Sequence, residues 1–195
     1  MTTALKGVSE TVGTTLRVVT DLIDVNTDER WQFVDLTELA IRRLRASGVR
    51  DGLLTVQTRH TTTAVIVNEN EPLLLADMRG VLERLVPKTG AYLHNDLGLR
   101  GAVPPEETPN GDAHCKAMLL GASESLAVKD GELQLGRWQR IFLVELDGGR
   151  RRSVVLTILG VAPEDERAPL TAASCGAAGR HSEGPIAAAS SARRS

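Results

Sequence analysis

Residues 125–159 read SLAVKDGELQLGRWQRIFLVELDGGRRRSVVLTIL. Four short runs rich in Val, Ile, Leu and Phe are divided by two turn signals. Asp130-Gly131, between Ser125–Val128 and Glu132–Leu135, is a two-residue hairpin signal, because both central positions of a type I′ turn need positive φ. Asp147-Gly148-Gly149 marks a second turn, between Arg140–Leu146 and Arg152–Leu159. The last third of the chain is therefore expected to be a β meander.

Upstream, two hydrophobic periods are interleaved. Val12–Ile23 and Leu53–Gln57 have strand composition, and Thr63–Val67 is apolar enough to be buried on both faces. Phe33, Leu36, Ala40, Ile41 and Leu44 recur at helical spacing up to Gly48, with Asn26 and Glu29 resembling a capping box in front. Leu74, Met78, Val81, Leu82 and Leu85 form a second apolar stripe, started by Pro72 and stopped by Pro87. A short helix through Ala117–Leu120, capped by Asn110 or Asp112, follows a long loop over residues 88–111. Strands and helices do not alternate regularly. The expectation is an α+β single domain, a mixed β-sheet with a few packed helices.

The bulk numbers narrow the function classes. The 195 residues suffice for one core, and 42% of them are hydrophobic. A net charge of -2 argues against a broad nucleic-acid or membrane surface, and no apolar run reaches the ~18 residues of a membrane span. The first ten residues lack the apolar stretch of a signal peptide, so a cytoplasmic protein is expected. Cys115 and Cys175 make no disulfide framework. Beyond Val161 large apolar residues almost vanish. The domain is expected over 1–162, and 163–195 as a disordered Ala/Ser/Arg-rich tail that takes His181 and Cys175 out of consideration.

Three histidines remain: His60 before an apolar strand, His94 in the long loop and His114 at the start of the short helix. Three imidazoles suit a divalent metal with an open coordination position, although their spacing matches no compact metal motif, and they serve equally as loop histidines with ordinary hydrogen bonds. Arg59, Thr61 and Thr62 beside His60 offer a cation and hydroxyls to an anion such as phosphate; a Thr-rich run also simply favours a strand. Asp96 supports Mg²⁺ through water or makes a turn. Glu69 closes a strand, as a base or metal ligand, or belongs to the start of the Pro72 helix. Lys116 is a phosphate contact or a solvated helix residue. Trp138 offers a stacking face and Gln139 a polar reader, or both serve packing.

Four stretches, in order, carry a resemblance. His60-Thr61-Thr62-Thr63-Ala64-Val65-Ile66-Val67-Asn68-Glu69-Asn70 resembles the first motif of the YjbQ-like family, also called secondary thiamine-phosphate synthases. Tyr92-Leu93-His94-Asn95-Asp96 resembles the second, His114-Cys115-Lys116 through Ser123 the third, and Gly131 through Gln139 the fourth; Glu145–Arg152 completes the pattern. Thr63, Cys115 and Ala127 depart from it, and no histidine is lost. The resemblance implies a compact α+β domain assembled as a homotrimer. It implies a site lined by His60, His94 and His114, with a divalent metal (Mg²⁺ or Zn²⁺) or an anion as occupant.

It also implies a weak thiamine-phosphate synthase activity, in which a thiazole phosphate nitrogen displaces pyrophosphate from a pyrimidine methyl pyrophosphate. On that reading the histidines bind metal or phosphate, Asp96 and Glu69 support them, Arg59 or Lys116 contacts phosphate, and Trp138 stacks on the pyrimidine. Two rivals use the same residues: a metal-dependent hydrolase of a small phosphorylated or heterocyclic metabolite, and a non-catalytic metabolite- or metal-binding trimer.

Overall fold

The computed structural model describes residues 14–101, 103–104 and 108–163. The tail expected over 163–195 lies outside the described residues, with Cys175 and His181, except for Pro163, which ends the last strand. Eight strands and three α-helices follow in the order β1 (Thr14–Asn26), β2 (Phe33–Asp35), α1 (Thr37–Ser47), β3 (Asp51–Thr58), β4 (Thr63–Glu69), α2 (Pro72–Leu85), α3 (Gly111–Leu120), β5 (Ser123–Lys129), β6 (Glu132–Leu133), β7 (Gln139–Glu145) and β8 (Arg151–Pro163). The expected α+β class is what the structure has, in a particular form. The strands divide between two sheets, of order β1-β8-β3-β5-β6 and β2-β7-β4, and every registered pair is antiparallel.

The Asp130-Gly131 hairpin is present, joining β5 to β6 with φ of 54° and 81°. The second turn behaves differently. Asp147-Gly148-Gly149 does not close a hairpin, because β7 and β8 lie in different sheets. Composition explains the switch. In β8 the even residues Arg152, Val154, Leu156 and Ile158 are buried and the odd ones are not, the alternation of a strand with one face on the core. In β7 Ile141 through Glu145 are all buried, as in a strand covered on both sides.

The three-stranded sheet is thus the middle layer. On one side Ile141, Leu143 and Val65 pack with Leu54, Leu156 and Ile158 of the larger sheet and with Ala40 and Leu44 of α1. On the other, Phe142, Val144 and Ala64 pack with Leu82 of α2 and Ala113 of α3.

The Asn26/Glu29 capping box does not form. Asn26 ends β1, Phe33 belongs to β2, and the helix begins only at Thr37, whose N–H donates to Asp35 Oδ1 at 2.9 Å. Pro72 does open α2, whose first turn is capped by the Glu71 carboxylate, accepting from the N–H groups of Leu73 and Leu74. Gly52 and Gly160 face each other across β3 and β8; a Cβ on Gly160 would stand 2.3 Å from the Asp51 carbonyl oxygen, so no larger residue fits.

Two of the crossovers between the sheets, 58–63 and 145–151, meet at one corner. There Glu145, fully buried, accepts five hydrogen bonds: two from Arg152 (2.6 and 2.5 Å), one from the Thr27 hydroxyl (2.9 Å) and one each from the N–H groups of Asp147 and Gly148. Burial alone would raise its pKa, but the bonds from Arg152, the Asp147 backbone and Thr27 outweigh it and hold the carboxyl below its ordinary value. Replacing Glu145 by Gln leaves the Arg152 guanidinium buried without a counter-charge. Urea unfolding at pH 7 is expected to show a loss of about 3–5 kcal/mol. Because the folded pKa is depressed, the wild-type advantage is complete above the ordinary carboxylate range and shrinks as pH falls through the folded value. A loss under about 1 kcal/mol, or a difference constant between pH 7 and pH 3, would contradict this.

Candidate functional site

The corner also builds a cavity. Its wall is made by Arg59, His60, Thr61 and Thr62 from the β3–β4 crossover, by His94 and Arg100 from the long loop, by Asn110 and His114 at the start of α3, and by Arg150 and Arg152 at the start of β8. Its volume is about 350 Å³. A second cavity of about 580 Å³ shares Arg59, His60, Thr61 and His114 with it and continues over Ala117, Met118 and Ala122. The structure therefore gathers all three histidines, from segments up to 54 positions apart, onto one surface.

Each histidine has its own support. His94 lies in a single 3-10 turn, Leu93–Asn95, tied to α3 by Asn95 Oδ1, which accepts from the Gly111 N–H at 2.8 Å. The rings of His94 and His114 meet edge to face, 4.7 Å between centroids. His60 is held by the fold itself: its Nε2 accepts the backbone N–H of Ser153 at 2.8 Å, with the Ser153 hydroxyl 3.4 Å away. A backbone N–H can only donate, so in the neutral ring the proton sits on Nδ1. Burial, then the nearby Arg152 charge, lowers the His60 pKa, partly opposed by Glu145, which favours the neutral ring.

The cavity is basic. Four guanidinium groups wall it, and no carboxylate does among the described residues. Arg152 is spoken for by Glu145 and also donates to the Thr62 hydroxyl at 3.2 Å, so Thr62 is buried while Thr61 is exposed. Arg150 pairs with Asp147 at 2.7 Å and is half exposed. Arg59 is exposed and has no carboxylate partner among the described residues. Arg100, Arg150 and Arg152 were not singled out from sequence. Period-two alternation in the run Arg150-Arg151-Arg152 held the signal: the outer two share a side, and Arg151 points away to pair with Asp24 at 2.6 Å.

Five of the candidates lie outside both cavities. Lys116 is completely buried, with Nζ 2.7 Å from Asp112 Oδ2, 3.3 Å from Glu83 Oε1 and 5.0 Å from the Trp31 ring centroid. Two positions along a helix turn the side chain by about 200°, so with His114 on the cavity Lys116 faces the core. Glu69 and Gln139 face each other at the far end of β4 and β7, six positions from the Thr63–Glu145 pair, or about 20 Å at ~3.3 Å per residue. Trp138 adjoins them, exposed under the Arg137 guanidinium. Asp96 makes the turn: its Oδ1 accepts from the N–H groups of Gly98 and Leu99.

The donors fit a divalent metal poorly. Among the described residues no three His, Cys, Asp or Glu side chains gather closely enough to hold one. A histidine that ligates metal through one nitrogen ordinarily donates its other N–H to an acceptor, whereas the second nitrogen of His60 faces a donor.

With this geometry in place, the comparisons are specific. A family model described as UPF0047 protein YjbQ-like matches residues 21–161. A UPF0047 protein of Methanothermobacter thermautotrophicus is 37% identical over 148 residues, covering 76% of this chain and 96% of that one. The UPF0047 protein YugU of Bacillus subtilis is 29% identical over 71% of this chain and 97% of its own. Among solved structures, a YbjQ-like protein of unknown function from Sulfolobus solfataricus superposes with a TM-score of 0.68 at 32% identity, covering 75% of this chain and 99% of that chain. A hypothetical protein from Aeropyrum pernix gives 0.64 at 37% identity, over 73% and 98%.

Nitrogen-15 NMR of the imidazoles should show His60 as the Nδ1-protonated neutral tautomer at pH 7. Its titration should lie below the ordinary value of 6.5. With the folded pKa below the unfolded one, this group favours the fold above about pH 6.5 and loses that contribution as pH falls through the folded value. An Nε2-protonated ring, or a pKa above 6.5, would refute the hydrogen-bond assignment.

Proposed function

The chain belongs to the YjbQ-like UPF0047 family, and from that premise we propose that it is a weak thiamine-phosphate synthase working at the three-histidine cavity. The observation that carries the reading is the joining of a basic cavity to a less polar one across His60 and His114. The substrates of this reaction have that shape: a planar heterocycle bearing a phosphate or pyrophosphate. The thiazole nitrogen forms a bond to the pyrimidine methylene carbon, the carbon–oxygen bond breaks, and pyrophosphate leaves with the electron pair. No nucleophilic side chain is needed. The barrier falls when the charge growing on the leaving group is met by fixed donors.

In this proposal Arg59 and Arg150 hold pyrophosphate oxygens, Thr61 and the histidines donate to them, and Ala117, Met118 and Ala122 seat the heterocycle. Trp138 is then too distant within one chain to stack on that ring, about 20 Å away along the sheet. The same distance, and the want of a carboxylate base in the cavity wall among the described residues, favour one alternative: binding of a phosphorylated metabolite without turnover. The homotrimer and the cytoplasmic setting belong to the proposal as well. Leu16, Val18, Leu22, Leu53 and Leu159 leave an apolar outer face on the five-stranded sheet that a second copy would cover, and no described helix is long and apolar enough to cross a membrane.

The test is thiamine-phosphate formation from the pyrimidine pyrophosphate and thiazole phosphate by purified protein. Wild type should form product, and folded Arg59→Ala and His114→Ala variants should each lose at least about tenfold in rate. Undiminished product in both variants would remove the chemistry from this cavity. Tight binding of the substrates without product would favour the binding reading.

A further inference from the structure

Resting on the reading of this cavity as a phosphate site, we infer that His60 donates a hydrogen bond to a phosphate oxygen instead of ligating a metal. The cavity then takes the free end of a polyphosphate, pyrophosphate above all, with guanidinium groups standing where a divalent cation would otherwise neutralise charge.

The first support is polarity. The Ser153 N–H donates to His60 Nε2, which leaves Nδ1–H as the ring's other group. A nitrogen that carries a proton has no lone pair for a cation, but it is a good donor to an anion. The second support is rigidity. Ser153 is clamped from both sides, for its carbonyl accepts the Arg59 N–H at 3.2 Å while its own N–H holds His60. The His60 backbone N–H lies 3.3 Å from the Thr58 hydroxyl, which is bonded in turn to Thr63. Next to Ser153, Arg152 is locked onto Glu145. Turning the ring to free Nε2 would leave the part-buried Ser153 N–H without its partner.

The third support is charge. Arg150 and Arg152 are already answered by Asp147 and Glu145, so the charge that repels a divalent cation and attracts a pyrophosphate is chiefly that of Arg59. Arg59 has no carboxylate partner among the described residues, so an anion gains its charge without breaking an existing pair. Planar guanidinium forks also match phosphate oxygens two at a time.

Calorimetric titration of the full chain with inorganic pyrophosphate in EDTA tests this, alongside titration with Zn²⁺ or Mg²⁺ alone and nitrogen-15 NMR of His60. Pyrophosphate should bind in EDTA, shift the Nδ1–H signal of His60 and leave Nε2 an acceptor. His60→Ala and Arg59→Ala should each weaken binding about tenfold or more, and metal alone should leave the His60 signals in place. His60→Asn, which keeps a donor and an acceptor, guards against simple misfolding by retaining more affinity than His60→Ala. Binding only when metal is added, no binding at all, or Zn²⁺ displacing the His60 nitrogen signals would overturn the inference. Its failure is distinct from that of the synthase reading. Metal-free pyrophosphate binding without thiamine phosphate sinks only the synthase, and product formed solely with metal sinks only this inference.

Discussion

The buried ion pair between Glu145 and Arg152 sits where β7 leaves one sheet and β8 enters the other. A chain that turns from sheet to sheet cannot satisfy its backbone through a hairpin ladder. At this corner a single carboxylate takes over, accepting from the Asp147 and Gly148 N–H groups that the turn leaves without strand partners. Arg152 answers its charge and reaches on to Thr62 in the other crossover. The pair thereby fastens these two sheet changes, β3–β4 and β7–β8, to each other. Such a pair is worth little against a well-packed apolar substitute, but breaking one half of it is costly. Its value lies in specifying which turn is a corner.

The site inherits its geometry from that corner. Arg152 precedes Ser153, whose N–H sets the orientation and tautomer of His60. The same turn delivers Arg150 to the cavity wall, and Asn110 ties the start of α3 to Asp147 at 3.1 Å, which positions His114. Chemistry and fold therefore share their supports. A change at Glu145, itself outside the cavity wall, would alter the cavity through Arg152, which lines it.

A second buried ionic cluster shows the contrast. Lys116, Asp112, Glu83 and Arg30 gather around Trp31, whose Nε1 donates to Glu83 at 2.9 Å and whose φ is 65°. For Asp112, burial would raise the pKa, but Lys116 and Arg30 hold it below its ordinary value. This cluster is closed: each charge faces another across the packing of α3 on the middle sheet. The histidine cavity is open, and in its wall Arg150 and Arg152 are paired with Asp147 and Glu145 while exposed Arg59 has no carboxylate partner among the described residues. An exposed guanidinium so placed is what an anionic ligand can use.

By itself the sequence determined the local elements and the kinship. The Asp130-Gly131 hairpin, the Pro72 helix, the strand after His60 and the four ordered motifs were legible because turn chemistry and side-chain period act over a few residues. That His60, His94 and His114 belong together was legible only through resemblance. Only the tertiary structure decided that Asp147-Gly148-Gly149 is a corner, that Lys116 faces inward, and that Glu69 and Gln139, with Trp138 beside them, lie at the far end of β4 and β7, about 20 Å along the sheet from the Thr63–Glu145 pair. The reason is physical. A turn signal specifies a reversal but not which sheet receives the next strand. That choice is made by burial of β7 on both faces and by a carboxylate and a guanidinium, seven residues apart, finding each other out of water.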